Sequence, residues 1–394
     1  MRILFAHNSY QQHGGEGIVL SAEIKLLTAM QHDVRLFSVS NRTMNDFPDR
    51  LTTALLCHYS VRSKELFHNE INFFHPDVVH VHNFFPLLTP SIYDACREAN
   101  VPVVQTLHNY RTICPGALLM RDGCICEKCV IGSPYWAVFH RCYRNSFLGS
   151  FAVARMVDYH QKNKTWQNKV NRFIALTDFG EKKFIQAGFP QKKIAVKPNF
   201  IKDPLKSKKK CRQRKKSALF VGRLSLEKGV ETLIDAWKKI DYHLEIAGTS
   251  SLLQKLKKNS PDNVTFLGHL SKEKIINRMA ESSFLIMPSI WYEGFPMVIV
   301  ESFACGLPVV ASRLGSMEEI IQDGITGIHF NPGNSDDLSE KIRELISSPE
   351  RIKQMSVNVR NEYEKKYTPE KNYEMLMEIY NSVIEKHKKN KFAK

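Results

Sequence analysis

Apolar residues along this chain follow two rhythms that alternate from end to end. Short continuous runs read as buried strands near 2–7, 33–39, 77–82, 102–107, 172–176 and 194–198 in the first half. The second half repeats the pattern near 218–221, 243–248, 264–267, 284–288, 308–312 and 327–330. Between the runs, apolar residues recur at spacings of three and four, as at Val230, Leu233, Ile234 and Trp237, which makes one face of a helix. Strands alternating with helices predict an α/β architecture with parallel sheets. At 394 residues the chain has room for two or three domains with full cores.

Two polar constellations break the pattern where strands end. Glu293 and Glu301 lie in a segment bracketed by the runs Phe284–Ser289 and Leu307–Ser312, long enough for a loop and a crossover helix. Pro296 suits the first turn of that helix and Gly306 the position just past its last. Glu293 then sits in the loop at the carboxyl end of a strand, where open α/β sheets bind ligands. Glu301 falls inside an otherwise apolar helix among Met297, Val298, Ile299, Val300, Phe303 and Ala304. A carboxylate there needs a partner, either ligand hydroxyls or a neighbouring Lys or Arg. Upstream, Arg223 and Lys228 flank a turn between the strand Ser217–Val221 and the next helix, with Gly222 and Gly229 at its ends. One planar and one point-like cation beside a helix start suit a diphosphate. No Walker-type Gly-x-x-x-x-Gly-Lys-Ser/Thr occurs.

Gly-Arg-x-x-x-x-Lys-Gly followed by Glu-x7-Glu resembles the retaining GT-B glycosyltransferases of family 4. The likeness extends over nearly the whole chain, through Arg2–Asn8, Gly14-Gly15-Glu16, Pro76–His82, Thr106–Tyr110, Phe173–Thr177 and Lys197–Asn199. His108–Arg111, Cys114-Pro115-Gly116 and Arg141–Ser146 point to the branch that builds bacterial surface polysaccharides. The resemblance implies two Rossmann-like domains with parallel sheets facing across an interdomain cleft. It implies that Arg223 and Lys228 hold the donor diphosphate and that Glu301 binds the ribose hydroxyls. Glu293, with the backbone of Gly294, Phe295 and Pro296, contacts the donor sugar. Gly15 belongs to a loop that approaches the phosphate from the other domain, and His108 faces the reacting carbon. Asn109 stands where many relatives have Asp, and Gly17 replaces a polar residue; neither change removes a charged donor contact.

The expected division is an acceptor-side domain over 1–200, a basic linker over 201–216 and a donor domain over 217–367. A crossing helix over about 368–394 would dock Met375, Leu376, Ile379, Tyr380 and Val383 on the first domain. The expected reaction moves a sugar from a nucleotide-sugar donor, UDP-linked by preference, to a glycan or lipid-linked glycan acceptor with retention and without a catalytic metal. Lys228→Ala is expected to lower turnover strongly and leave the fold intact. The alternatives are a GT-B nucleotide-sugar epimerase and a non-catalytic nucleotide-sugar or polyanion-binding protein.

Charge refines the expected partners. The net charge is +16, gathered in the block 202–216 and the tail Lys386–Lys394. Like charge without apolar spacing predicts exposed segments, and such clusters are drawn to anionic membrane surfaces. No nucleic-acid-binding motif accompanies them, so nucleic acid is not an expected partner. No run of 18 apolar residues and no secretory leader are visible, so the expected place is the cytoplasm, peripheral on the inner face of the membrane.

Five of the nine cysteines cluster: Cys114, Cys124, Cys126, Cys129 and Cys142. Cys126-Glu-Lys-Cys129 has zinc-knuckle spacing, and Cys114 and Cys142 are candidates to complete a structural tetrahedral site, with Cys124 an alternative to either. A thiol-rich insertion without metal and a redox pair are the competing readings. His7, His80 and His82 also end strands and are candidates for the acceptor side. Asn83–Leu88 reads either as part of that pocket or as packing.

Overall fold

The computed structural model describes residues 1–9, 15–41, 47–206 and 214–392. Seven of the sixteen residues of the expected basic linker, 207–213, and Gly14 lie outside the described residues. The chain divides into two compact units, one of Met1–Leu119, Cys126–Asn199 and Asn372–Lys394, the other of Met120–Ile125 and Phe200–Lys371.

Each of the twelve apolar runs forms a strand. In the first unit these are β1 (Arg2–Ser9), β2 (Asp33–Ser40), β3 (Val78–Asn83) and β4 (Val103–Thr106). A two-stranded hairpin absent from the sequence reading follows, β5 (Met120–Arg121) and β6 (Cys124–Ile125), and then β7 (Arg172–Ala175) and β8 (Ile194–Val196). The six-stranded sheet has the order β2-β1-β3-β4-β7-β8 with every pair parallel. Val78–Val81, like Ile3–Ala6, are fully buried because helices cover both faces, so these strands read as continuous rather than alternating apolar runs. One face gathers Ile3, Phe5, Leu20, Leu27, Val78, Val104 and Ile174. Leu376, Ile379, Tyr380 and Val383 of the C-terminal helix Pro369–Phe392 complete that cluster. Apolar residues at spacings of three and four put one helical face on the sheet.

The second unit holds β9 (Ser217–Val221), β10 (His243–Ala247), β11 (Val264–Gly268), β12 (Phe284–Met287), β13 (Val309–Ser312) and β14 (Gly327–Phe330). Their order is β11-β10-β9-β12-β13-β14, again all parallel. Alternate residues feed two cores. Phe220, Ile246, Phe284 and Ile286 pack with Trp237 and Ile342, while Leu219, Leu285 and Met287 pack with Ile299, Val300 and Phe303. The connection reverses direction between β9 and β12, which makes the carboxyl ends of these two strands the topological switch point. The two candidate turns, Gly222–Gly229 and Pro288–Pro296, both leave the sheet there.

Candidate functional site

At the switch point the turn after β9 is locked against the loop after β12. Gly229 adopts φ +65°, and a Cβ there would lie 1.9 Å from the carbonyl oxygen of Pro288, so only glycine fits. The amide of Ile290 donates to the Glu227 carbonyl at 3.0 Å, tying the two segments a second time. This close approach brings Lys228 Nζ to 2.6 Å from Glu293 Oε1. The same oxygen accepts from Ser289 Oγ at 2.7 Å and Trp291 Nε1 at 2.9 Å. Ser316 Oγ fixes the Glu293 backbone by donating to its carbonyl at 2.7 Å. Three donors therefore converge on Oε1, and none of these bonds uses Oε2.

Glu293 is buried, so Lys228 is its counter-ion as well as a candidate phosphate ligand. That changes the expectation for Lys228→Ala. Removing one partner of a buried pair strands the other charge, so the fold is not indifferent to this position. Arg223 differs: its side chain is two-thirds exposed and its ion pair with Glu227 is 3.3 Å long. It presents an open, planar cation at the edge of the turn.

Glu301 lies inside the helix Met297–Ala304, with Pro296 just before its first residue and Gly306, at φ +65°, just past its last turn. Lys272 Nζ stands 3.6 Å from its carboxylate, farther than a hydrogen bond. Burial raises the Glu301 carboxyl above its ordinary range, and Lys272 opposes the rise. An under-bonded, mostly buried carboxylate of this kind suits a pair of vicinal hydroxyls. Gly294 and Phe295 occupy the loop between Glu293 and Pro296.

The remaining sequence-predicted residues belong to the first unit. Gly15 opens the helix Gly15–Ala29, and among the described residues nothing beyond its own helix comes within 4 Å of where a Cβ would stand. His108 follows β4 and ends a buried polar chain that the sequence reading did not anticipate. Its Nε2 is 2.9 Å from Nδ1 of His82, whose own Nε2 faces Glu23 Oε2 at 3.2 Å. The latter contact is poorly aligned for a hydrogen bond, yet neither buried atom has another partner among the described residues, so each serves the other. Glu23 Oε1 in turn accepts from Lys197 Nζ at 2.8 Å, and Lys197 also reaches Asn372 Oδ1 at 3.2 Å. Glu23 and Lys197 are wholly enclosed. Burial alone would raise the Glu23 carboxyl, but the Lys197 ammonium and the His82 contact together hold it well below the usual range.

That chain sets a tautomer. An ionised Glu23 only accepts, so His82 carries a proton on Nε2. Its other ring nitrogen, Nδ1, faces Nε2 of His108, so Nδ1 of His108 is the nitrogen turned away from the chain. Burial, and after it His82, holds His108 well below the ordinary histidine range, so it works as a neutral group.

The other strand-end histidines depart from their expected role. His80 is fully enclosed, with Nδ1 at 2.6 Å from the Tyr380 hydroxyl and Nε2 at 2.8 Å from Thr106 Oγ1, so it is a core group and not an acceptor-side one. His82 is spent on the chain. His7 is buried with Nδ1 3.5 Å from Glu16 Oε1; burial, then His82, lowers its pKa to about 4. Phe84, Phe85 and Leu88 are buried in the core, which answers for most of Asn83–Leu88.

Cys114, Cys126, Cys129 and Cys142 all belong to the first unit, whereas Cys124 is exposed and falls in the hairpin. A Cβ on Gly116 would lie 3.6 Å from Cys142 Cβ and 3.8 Å from Cys114 Sγ, so those two cysteines meet across Gly116. Burial first, then the thiols of Cys114, Cys142 and Cys126, push the Cys129 thiol up to about 12. Among the described residues, the one set of three or more ligand atoms mutually within 4.8 Å is Glu23, His80 and His82, where Lys197 already neutralises the carboxylate. Among the described residues, no three of these four thiols lie mutually within 4.8 Å.

Comparison with known proteins adds the family. A model described as "Glycosyltransferase Family 4" matches residues 13–203, and one described as "Glycosyl transferases group 1" matches residues 202–362. An uncharacterized glycosyltransferase of Methanocaldococcus jannaschii is 39% identical over 166 residues, covering 41% of this chain and 47% of that protein. The matched stretches span about half the length of the curated relatives. Among solved structures, a Rickettsia africae glycosyltransferase superposes with a TM-score of 0.72 at 18% identity, covering 97% of this chain and 98% of that one. Anabaena HepE, in complex with UDP, superposes with a TM-score of 0.68 at 17% identity, covering 97% of this chain and 100% of its own. Likeness at this level of identity speaks to the shared GT-B fold.

Proposed function

The chain belongs to the group 1 glycosyltransferases, and we propose that it transfers a sugar from a nucleoside diphosphate donor, with retention at the anomeric carbon, to a hydroxyl of a lipid-linked surface polysaccharide. The observation that carries this reading is the Lys228–Glu293 pair at the switch point of the second sheet, with Arg223 open beside it. UDP is the proposed nucleotide because HepE, a relative in fold, has been solved with UDP and with UDP-glucose.

In the proposed reaction, negative charge grows on the departing diphosphate as the bond to the sugar breaks. Lys228 and Arg223 stabilise that charge more than the ground state, which is the condition for catalysis. Glu301 takes the ribose hydroxyls. Glu293, its Oε1 saturated by three donors, offers Oε2 to a sugar hydroxyl and is not proposed as a covalent nucleophile. His108 offers Nδ1 to a substrate hydroxyl. These groups require no catalytic metal.

The test needs no acceptor, because such enzymes slowly pass the sugar to water. Proton NMR of the protein with UDP-glucose is expected to show UDP and α-glucose before mutarotation equilibrates the anomers. β-Glucose as the first product would overturn retention. Appearance of an altered hexose without any acceptor-directed transfer would favour an epimerase.

The segment 107–146 contains few regular elements, two short strands and two four-residue helices. A small irregular region of this kind gains most from a staple. Cys114, Cys126, Cys129 and Cys142 are proposed to hold a structural zinc, whose binding would favour their thiolates. Metal analysis of the purified protein is expected to give one equivalent of zinc, lost in Cys126→Ser/Cys129→Ser together with a fall in melting temperature. Protein free of metal whose four thiols react fully would remove the assignment.

A further inference from the structure

We propose that the apolar and basic face of residues 128–155 in the first unit docks on an anionic lipid surface. The proposal goes beyond sugar transfer and does not depend on the donor site. Six large apolar side chains stand exposed within 21 residues: Ile131 at 74%, Trp136 at 46%, Phe139 at 76%, Phe147 at 54%, Leu148 at 72% and Phe151 at 47%. Single exposed apolar residues are ordinary. Six together leave on the order of several hundred Å² of apolar surface, at or above the largest patch of a typical monomer, about 300–600 Å².

They form one face. Phe147, Leu148 and Phe151 are three and four residues apart at the start of the helix Phe147–Lys162, and so lie on the same side of it. Tyr135 bridges from Phe151, at 6.0 Å between rings, to the short helix Trp136–Phe139, whose two aromatic rings are 6.1 Å apart. These helices pack against each other. The sequence pattern alone did not single out these residues.

Charge decides the occupant. Between Glu127 and Asp158 the chain contains no acidic residue, while Lys128, Arg141, Arg144 and Arg155 are exposed. Lys128 lies 5.5 Å from the Trp136 ring centre and Arg144 the same distance from that of Tyr143, so cations flank the aromatics. Aromatic rings at headgroup depth with Lys and Arg reaching the phosphates are the chemistry of a membrane interface. A second copy is disfavoured, because an isologous contact would press this basic face against itself. Among the described residues no helix is long and apolar enough to cross a membrane, so the contact would be peripheral.

The experiment is co-sedimentation of the full chain with sucrose-loaded vesicles, either pure phosphatidylcholine or phosphatidylcholine with phosphatidylglycerol. Two variants are compared with wild type: Phe139→Ser/Phe147→Ser/Leu148→Ser/Phe151→Ser and Arg141→Glu/Arg144→Glu. Wild type is expected to bind the phosphatidylglycerol vesicles at least tenfold more tightly than either variant, and more weakly as salt rises. Both variants should release UDP from UDP-glucose at the wild-type rate, which separates this proposal from the glycosyltransferase reading. Equal binding by wild type and both variants would assign the attraction to basic segments elsewhere and overturn it. So would no binding at all, or a dimer of wild type that the apolar variant dissolves.

Discussion

Lys228→Ala lowers turnover of the nucleotide-sugar donor by roughly 10²–10³-fold, the loss expected when one preorganised contact to the developing charge is removed. The same change also destabilises the second unit. Lys228 Nζ lies 2.6 Å from Oε1 of the buried Glu293, and stripping a buried carboxylate of its counter-ion costs about 3–5 kcal/mol. A raw activity loss in the single variant would therefore mix two causes. Lys228→Ala/Glu293→Gln separates them when UDP affinity is read beside turnover, because Glu293 is proposed to touch the sugar and not the nucleotide. The neutral amide oxygen still accepts from Ser289 and Trp291, so most of the melting temperature should return. Turnover should not return, because the diphosphate still lacks its cation. Recovery of activity along with stability would show that Lys228 only props up Glu293.

Mild acid unfolds the first unit before the second. His7 and His160 are lowered to about 4, chiefly by burial, and His80 and His108 lie well below the ordinary range for the same leading reason. All four belong to the first unit. The sign follows from linkage: between about pH 6.5 and 4 the unfolded chain binds these protons and the folded unit does not, so stability falls as pH falls. Glu16 works the other way. Burial raises it to about 8, so it binds its proton in the folded state first and offsets one histidine. Glu23, held well below its usual range, keeps its contribution down to about pH 4.5. Three net protons correspond to about 4 kcal/mol per pH unit, against a total stability of about 5–15 kcal/mol for a typical domain. Limited proteolysis through pH 7 to 4.5, with fragments identified by mass, should cut 1–119 and 126–199 before 200–371. Prior cleavage of the second unit, or a first unit intact at pH 4.5, would contradict the account.

Local patterns exposed much of this protein. The strands were legible because parallel strands buried on both faces are continuous apolar runs, and Pro296 and Gly306 marked the ends of the Glu301 helix. Lys228 and Glu293 were both visible as strand-end polar residues. Their direct pairing was not, because 65 residues separate them and only the approach of Gly229 to Pro288 joins the two turns. The buried chain behind His108 was hidden for the same reason. Glu23 sits in a helix where a carboxylate looks solvated, and its partners His82 and Lys197 come from distant strand ends. His80 looked like a site residue because it ends a strand, and only the C-terminal helix, which brings Tyr380 to it, makes it part of the core.

Sugar transfer by this chain requires a nucleoside diphosphate bound at the carboxyl edge of the second sheet. A thermal-shift panel of UDP, GDP, ADP and CMP on wild type and Lys228→Ala/Glu293→Gln tests that claim most directly. A ligand at 100 times its Kd stabilises by about 2.7 kcal/mol, or roughly 5–10 °C for a unit of this size. The prediction is a rise with UDP in wild type that is lost in the double variant. An equal rise in both proteins, or none with any nucleotide in wild type, would contradict it.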